Sequence, residues 1–371
     1  MTGLRGLAAL GVTVFHYYAD LDTGLTDPLH MAVRRGYLLV DLFFVLSGFV
    51  MAMTYGAGFL AAPGFATWRG FMLRRAARIV PLYLVALIGC LALAYLAYGR
   101  FSSSFGGFPV AVDRPLLEIP ANLLLVQSWS LTQSALVPAW SISTEWAAYL
   151  LFPAFVALVL GGGWRRAALG CAMACAMLAA AAWITAHDGL EHAGPLDASA
   201  GQVPGALLRC FGGFVLGMGV YRLSSWGPAA VAFGDGFGAL LFGALLLVWL
   251  FAPHDHLVYP LLPLVVLCAA GNRGRIARLL SAKPLYMLGV LSYAVYLLHY
   301  QLAGVIHWVE KALAAAGLPA VAYYPLAAAL VYGVLLVAAA ASHRFVEVPG
   351  RRLVRSIEGR RARAEPAAAG A

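Results

Sequence analysis

The chain has 371 residues, 62% hydrophobic and only 11% charged, with a mean hydropathy of +0.83. A soluble domain carries about 25% charged and roughly 45–50% apolar residues, so this chain lacks the polar side chains to cover a soluble globule, and fibrous, disordered and disulfide-scaffold classes are excluded with it. The net charge of +9, from 25 basic and 16 acidic residues, reads as membrane orientation rather than nucleic-acid binding.

The composition predicts an all-α, polytopic membrane protein. A bilayer crossing needs about 20 mostly apolar residues, and ten segments qualify: 3–21, 37–56, 79–98, 140–160, 167–186, 205–223, 229–251, 257–271, 286–309 and 321–342. The run after Arg5 ends in His16-Tyr17-Tyr18 without a small-residue cleavage site, so it reads as a retained first span. The eighth segment is short and carries Pro260 and Pro263. Residues 116–128 are apolar but too short to span, and read as a re-entrant or interfacial segment. The expected organisation is a membrane domain over 1–350 and a basic, alanine-rich tail over 351–371.

With the N-terminus in the cytoplasm, ten spans return the C-terminus there. The cytoplasmic segments then hold 19 Lys and Arg residues against 6 outside, as the positive-inside rule requires. Cys90, Cys171, Cys175, Cys210 and Cys268 all lie in apolar runs without histidine neighbours in a metal-ligand pattern, and read as small buried hydrophobes. No metal is expected.

Ionisable groups inside spans are costly and by default mark function. Here they are His16, Asp41, Glu145, Arg209 and His299, with His307 and Glu310 near a span end. Arg5 and His16 are eleven residues apart, which places them on one helical face about 16 Å apart along the axis. Topology puts Asp41 and Glu145 near the outer ends of their spans, at a depth similar to His16. A carboxylate beside an imidazole raises its basicity and suits a general base. A histidine on an apolar helix also packs as a hydrogen-bonded core residue, and either carboxylate also serves as a cap or a bridge between spans. Arg74, Arg75 and Arg78 precede Pro81 at the cytoplasmic surface. Guanidiniums three apart suit phosphate, although ordinary flanking charge has the same appearance. Ser292, Tyr296 and His299 share a face by their i, i+4, i+7 spacing. No Walker loop, HExxH, GxSxG, paired CxxC or Rossmann fingerprint is present.

Six motifs in order, from residue 4 to about 350, make the chain recognisable. Arg5 through Phe15-His16 resembles the opening Arg-x10-His signature of the acyltransferase-3 family of integral-membrane O-acyltransferases. Val40-Asp41-Leu42-Phe43-Phe44-Val45-Leu46-Ser47-Gly48-Phe49 resembles its second signature, and Arg75-Ala76-Ala77-Arg78-Ile79-Val80-Pro81 its RxxR segment. Trp140-Ser141-Ile142-Ser143-Thr144-Glu145 with Tyr149 resembles its W-S-L-S-x-E segment, Gly289 to His299 its late S-Y-x-x-Y-L-x-H stretch, and Glu347-Val348-Pro349 its closing E-x-P. Two departures stand out: Trp146-Ala147 follows Glu145 where Gln-Phe is frequent, and Val80 stands where Tyr is common. Many relatives carry an added soluble domain, for which this length leaves no room.

The resemblance implies transfer of an acyl group, acetyl by default, from cytoplasmic acyl-CoA to a hydroxyl. The acceptor would be a glycan, a lipid-linked saccharide or a small molecule. His16, Asp41 and Glu145 become catalytic candidates. Arg5, Arg75, Arg78, Ser47 and Gly48 become candidates for binding acyl-CoA, Ser47-Gly48 by permitting close approach of a helix or of the pantetheine arm, and Trp140, Tyr149, Ser292, Tyr293 and His299 substrate or supporting positions. The 16 Å between Arg5 and His16 is comparable with an extended pantetheine arm. The implied location is a bacterial cytoplasmic membrane. A transporter or flippase without covalent chemistry, or a binding scaffold, is the competing class.

Overall fold

The structure is a computed structural model, and it describes residues 1–18, 27–99, 112–188, 194–197, 204–227, 229, 233–252, 254–354 and 356. Among the described residues there are fifteen α-helices and no strand. They are α1 (Thr2–Tyr18), α2 (Asp27–Arg34), α3 (Leu39–Ala61), α4 (Phe65–Tyr98), α5 (Pro115–Leu123), α6 (Ala139–Leu150), α7 (Phe152–Val159), α8 (Trp164–His187), α9 (Gly205–Ser224), α10 (Asp235–Phe251), α11 (Leu261–Gly271), α12 (Arg275–Leu280), α13 (Lys283–Leu298), α14 (Ala303–Ala315) and α15 (Ala320–Ser342).

Among the described residues every expected span contains helix, the fourth divided between α6 and α7 and the ninth between α13 and α14, but not every helix is a full crossing. Among the described residues six helices are long and apolar enough to span a bilayer, or seven if one bent pair counts as a single span. That pair is α6 and α7, which meet at 63°. The break has a local cause: Pro153 has no N–H and its ring cannot follow a continuing turn. The expected count of about ten is approximate: α1 and α10, with 17 residues each, and α11, with 11, are the expected spans shorter than the helices that qualify. The segment expected to be re-entrant forms the nine-residue α5 and then irregular chain, pinned to α6. Ser143 Oγ accepts from Ser128 N at 3.1 Å, and Trp129 Nε1 donates to Ser143 O at 2.8 Å.

Three close helix contacts build the centre, and glycines at the crossings permit them. A Cβ on Gly48 of α3 would overlap Phe214 O of α9, and one on Gly217 would overlap Val45 O. Likewise a Cβ on Gly6 of α1 would meet Gly289 N of α13. α1 and α13 therefore run side by side in the same direction, with Gly6 beside Gly289 and His16 beside His299. α1 and α3 run in opposite directions, with Gly11 against Leu39 and Gly36 against Phe15.

Chain ends that alternation assigns to one side do lie together. Arg222 donates to Val159 O and Leu160 O, at 2.7 and 3.2 Å. Asp235 accepts from Arg275 N and Ile276 N. At the opposite end Arg35 is buried and donates to the carbonyls of Val248 and Trp249 in the last turn of α10 and of Ala252 just beyond it.

Candidate active site

One face of α1 carries the site from end to end. Arg5 lies near its start and His16 two residues from its end. His16 Nδ1 is 3.1 Å from Val12 O and 3.0 Å from Nε2 of His299. His299 is fully buried, its Nδ1 lies 2.7 Å from Tyr296 O, and its own carbonyl accepts from Tyr17 Oη at 2.9 Å.

Arg5 opens onto a cavity of about 140 Å³ between α1, α3, α4, α6 and α13. Ser47 stands eight residues beyond Leu39 on the antiparallel α3, so it lies about 12 Å nearer the Arg5 end than the Gly11 contact. There Ser47 Oγ donates to Glu145 Oε1, and Tyr149 Oη donates to the same oxygen at 2.5 Å. Ser292, Tyr293 and Tyr296 form the α13 wall. Tyr293 Oη donates to Ile79 O at 2.7 Å, Ser292 Oγ to Gly289 O at 2.9 Å, and Tyr296 Oη lies 2.7 Å from Ser141 Oγ. The Tyr296 ring is 5.9 Å from that of His299, so the wall of the cavity ends beside the two histidines.

A second cavity, of about 410 Å³, adjoins the first and shares Arg5, Arg75 and Arg78 with it. Arg74 and Arg351 complete a basin of five guanidiniums. Tyr55 orients two of them: its ring lies 5.4 Å from the Arg74 guanidinium and 5.3 Å from that of Arg75, and its hydroxyl accepts from Arg75 at 3.0 Å. α15 ends in a π-helical turn, His343–Glu347, which brings the buried Glu347 into the basin wall. Glu347 pairs with Arg351 at 2.5 Å and with Arg78 at 3.6 Å. Nε of Arg75 and Nε of Arg351 are buried without a hydrogen-bond partner among the described residues. Donors left open beside a cavity of one charge sign suit a multiply charged anion.

The expected convergence of His16, Asp41 and Glu145 at one depth is not what the structure places. Glu145 belongs to the Arg5 level, where it lines the same cavity as Arg5 and bonds Ser47. Asp41 is held by Arg209. Nε and one terminal nitrogen of Arg209 donate to the two Asp41 oxygens, at 2.9 and 2.7 Å, and Arg209 also donates to Tyr37 O at 3.0 Å. The guanidinium lies 5.3 Å from the Tyr37 ring and 5.2 Å from that of Trp140, and both charged side chains are fully buried. Trp140 thus covers this ion pair rather than lining either cavity. Gly48, expected to permit close approach of a helix or of the pantetheine arm, sits in the α3–α9 crossing. His307 and Glu310 pair with each other on α14 at 3.0 Å.

Sequence reasoning gave no role to Tyr55, Arg351 or the Arg209 pairing. Arg209 was conspicuous as a charge inside a span, and Glu347 as part of a motif. Tyr55 carries no such signal. Arg351, expected to begin the tail, lines the basin together with Val354.

The helical membrane architecture and this polar core define a class, and comparison with known proteins identifies it. A family model described as an acyltransferase domain matches residues 1–342. The chain belongs to this family, acyltransferase-3. It is 34% identical over 169 residues to Acyltransferase MdmB of Streptomyces mycarofaciens, covering 43% of this chain and 39% of that protein. It is 34% identical over 164 residues to Protein 2 in picA locus of Rhizobium radiobacter, covering 39% of this chain and 75% of the relative. It is 22% identical over 378 residues to SACOL0978 of Staphylococcus aureus (strain COL), a protein provisionally named an O-acetyltransferase; the match covers 95% of this chain and 57% of that protein. The chain thus spans well under two thirds of the first and third relatives. No solved structure matches.

Proposed function

We propose that the protein is an acyl-CoA-dependent O-acyltransferase of a bacterial cytoplasmic membrane, with the arginine end and both termini facing the cytoplasm. One observation carries the reading. The arginine basin, the polar cavity and His16 are strung in that order along α1 and α13.

In this reading Arg5, Arg75 and Arg78, with Arg74 and Arg351 beside them, bind the phosphates of acyl-CoA. The pantetheine arm runs past Ser47, Glu145 and Tyr296. Glu145 offsets the positive charge at the cavity mouth, and its two hydroxyl donors fix it. The thioester reaches His16, which removes the acceptor's hydroxyl proton or takes the acyl group itself before passing it on. The ester forms as the carbon–sulfur bond breaks, and the leaving thiolate takes the proton. Asp41 supports this geometry at a distance by holding Arg209 and the start of α3 and α9 together. The acceptor is a glycan, lipid-linked saccharide or small-molecule hydroxyl entering from the His16 end. The provisional O-acetyltransferase name of the Staphylococcus relative supports acetyl as the group moved.

The test is release of free CoA thiol from acetyl-CoA by purified protein, with and without a crude glycan extract. Glycan-dependent release that His16→Ala abolishes supports the reading. Release that His16→Ala leaves unchanged, in a folded protein, removes His16 from the chemistry.

A further inference from the structure

His16 has the His299 imidazole on its Nδ1 side, and the donors and acceptors around the pair fix which nitrogen carries hydrogen. His299 Nδ1 lies 2.7 Å from Tyr296 O. A carbonyl only accepts, so this Nδ1 is an N–H, and a neutral His299 then presents Nε2 as an acceptor. That Nε2 lies 3.0 Å from His16 Nδ1, which also lies 3.1 Å from Val12 O. Val12 O and His299 Nε2 both accept from His16 Nδ1. His16 Nδ1 is therefore the donor, and Nε2 is its reactive nitrogen.

We infer that His299 is a positioning residue that holds His16 in the tautomer whose Nε2 exchanges the proton or receives the acyl group. The inference rests on the proposed role of His16. It assigns to a neutral histidine the orienting work that a carboxylate does in a serine-protease triad. The choice suits the place. An unpaired carboxylate here would be a buried charge with a large desolvation cost, whereas a neutral imidazole carries none. When Nε2 takes a proton, the His16 Nδ1–H···Nε2 bond to His299 becomes charge-assisted and strengthens. His299 is itself held rigidly. Its ring lies between those of Tyr17, at 6.3 Å, and Tyr296, at 5.9 Å, and Tyr17 Oη bonds its carbonyl. The aromatic ring of Tyr300, 5.1 Å away, limits the swing of His16.

Two variants and one spectroscopic measurement test this. Glutamine at 299 offers an amide oxygen to His16 Nδ1–H, whereas leucine offers nothing. His299→Leu is expected to lower kcat for acyl transfer about tenfold or more, the scale of one lost hydrogen bond, with the KM for acetyl-CoA unchanged. His299→Gln is expected to restore most of the rate. Equal loss in both variants, or no loss in His299→Leu, overturns the inference even where His16→Ala shows the acyltransferase reading to hold. Nitrogen-15 NMR of histidine-labelled protein, with the His16 signal assigned from His16→Ala, reads the tautomer without any activity. The expected result is protonated Nδ1 in wild type and a mixture of tautomers in His299→Leu. An Nε2-protonated His16 in wild type, or an unchanged tautomer in His299→Leu, contradicts it. A wild type that transfers no acyl group defeats the reading above while the NMR result still decides this one.

Discussion

Asp41 and Glu145 are both acidic residues inside apolar helices, and the structure gives them different work. Asp41 neutralises Arg209, fully buried on both sides of the pair. Removing one partner of such a pair strands a charge in a dry interior, at a cost of about 3–5 kcal/mol. Asp41→Asn is therefore expected to lose stability on that scale, read by thermal unfolding in detergent, while Arg209→Met combined with Asp41→Leu recovers much of it. If Asp41 were instead a base facing substrate, Asp41→Asn would be as stable as wild type. Glu145 instead shares one oxygen between Ser47 and Tyr149. Glu145→Gln keeps the shape of the side chain but removes the charge that offsets the arginines, and should change acyl-CoA binding more than folding. The ion pair was only half visible in the sequence. Each charge stood out against apolar neighbours, but 168 residues separate the partners, and no local spacing joins them.

The elements explain which motif residues are structural. Gly48 lies in the α3–α9 crossing, where the neighbour is backbone that cannot rotate away. Gly48→Ala is expected to cost about 1–3 kcal/mol through overpacking, with the KM for acyl-CoA preserved in the protein that folds. A KM that rises without loss of stability would return Gly48 to the binding site. The opening Arg-x10-His motif was legible in full, because helical periodicity alone puts both ends on one face of α1. The break between α6 and α7 was not, since Pro153 permits a helix start as readily as it interrupts one, and only the 63° bend shows which occurs. The π-turn at His343–Glu347 was equally silent in the sequence, and it is what turns a C-terminal glutamate into the counter-ion of Arg78 and Arg351.

Across the whole molecule, the hydrophobic composition and positive-inside bias were enough for an all-α membrane protein with a basic face. Their count of about ten crossings is approximate, because α1 and α10, of 17 residues, and α11, of 11, are shorter than the helices long enough to span. Sidedness is open to direct measurement. With the five native cysteines replaced by alanine, Ser225→Cys is expected to react with an impermeant thiol reagent from the cytoplasmic side, and Leu116→Cys, at 96% exposure, from the other. Labelling of both from one side would break the alternation. The basin of five arginines also predicts that acyl-CoA binding weakens as salt is raised, because phosphate contacts at an open cavity are screened.

The division of labour along α1 is tested most directly by acetyl-CoA saturation curves for Arg75→Ala and His16→Ala beside wild type, with free CoA binding measured on the same preparations. A basin that binds and a histidine that reacts predict two separate defects. Arg75→Ala should raise the KM for acetyl-CoA by roughly tenfold to a hundredfold, the scale of a charged hydrogen bond, with kcat near wild type. His16→Ala should lower kcat by about a hundredfold to ten-thousandfold and bind CoA as wild type does. The reverse pattern, with His16→Ala losing CoA binding and Arg75→Ala losing only turnover, would contradict it.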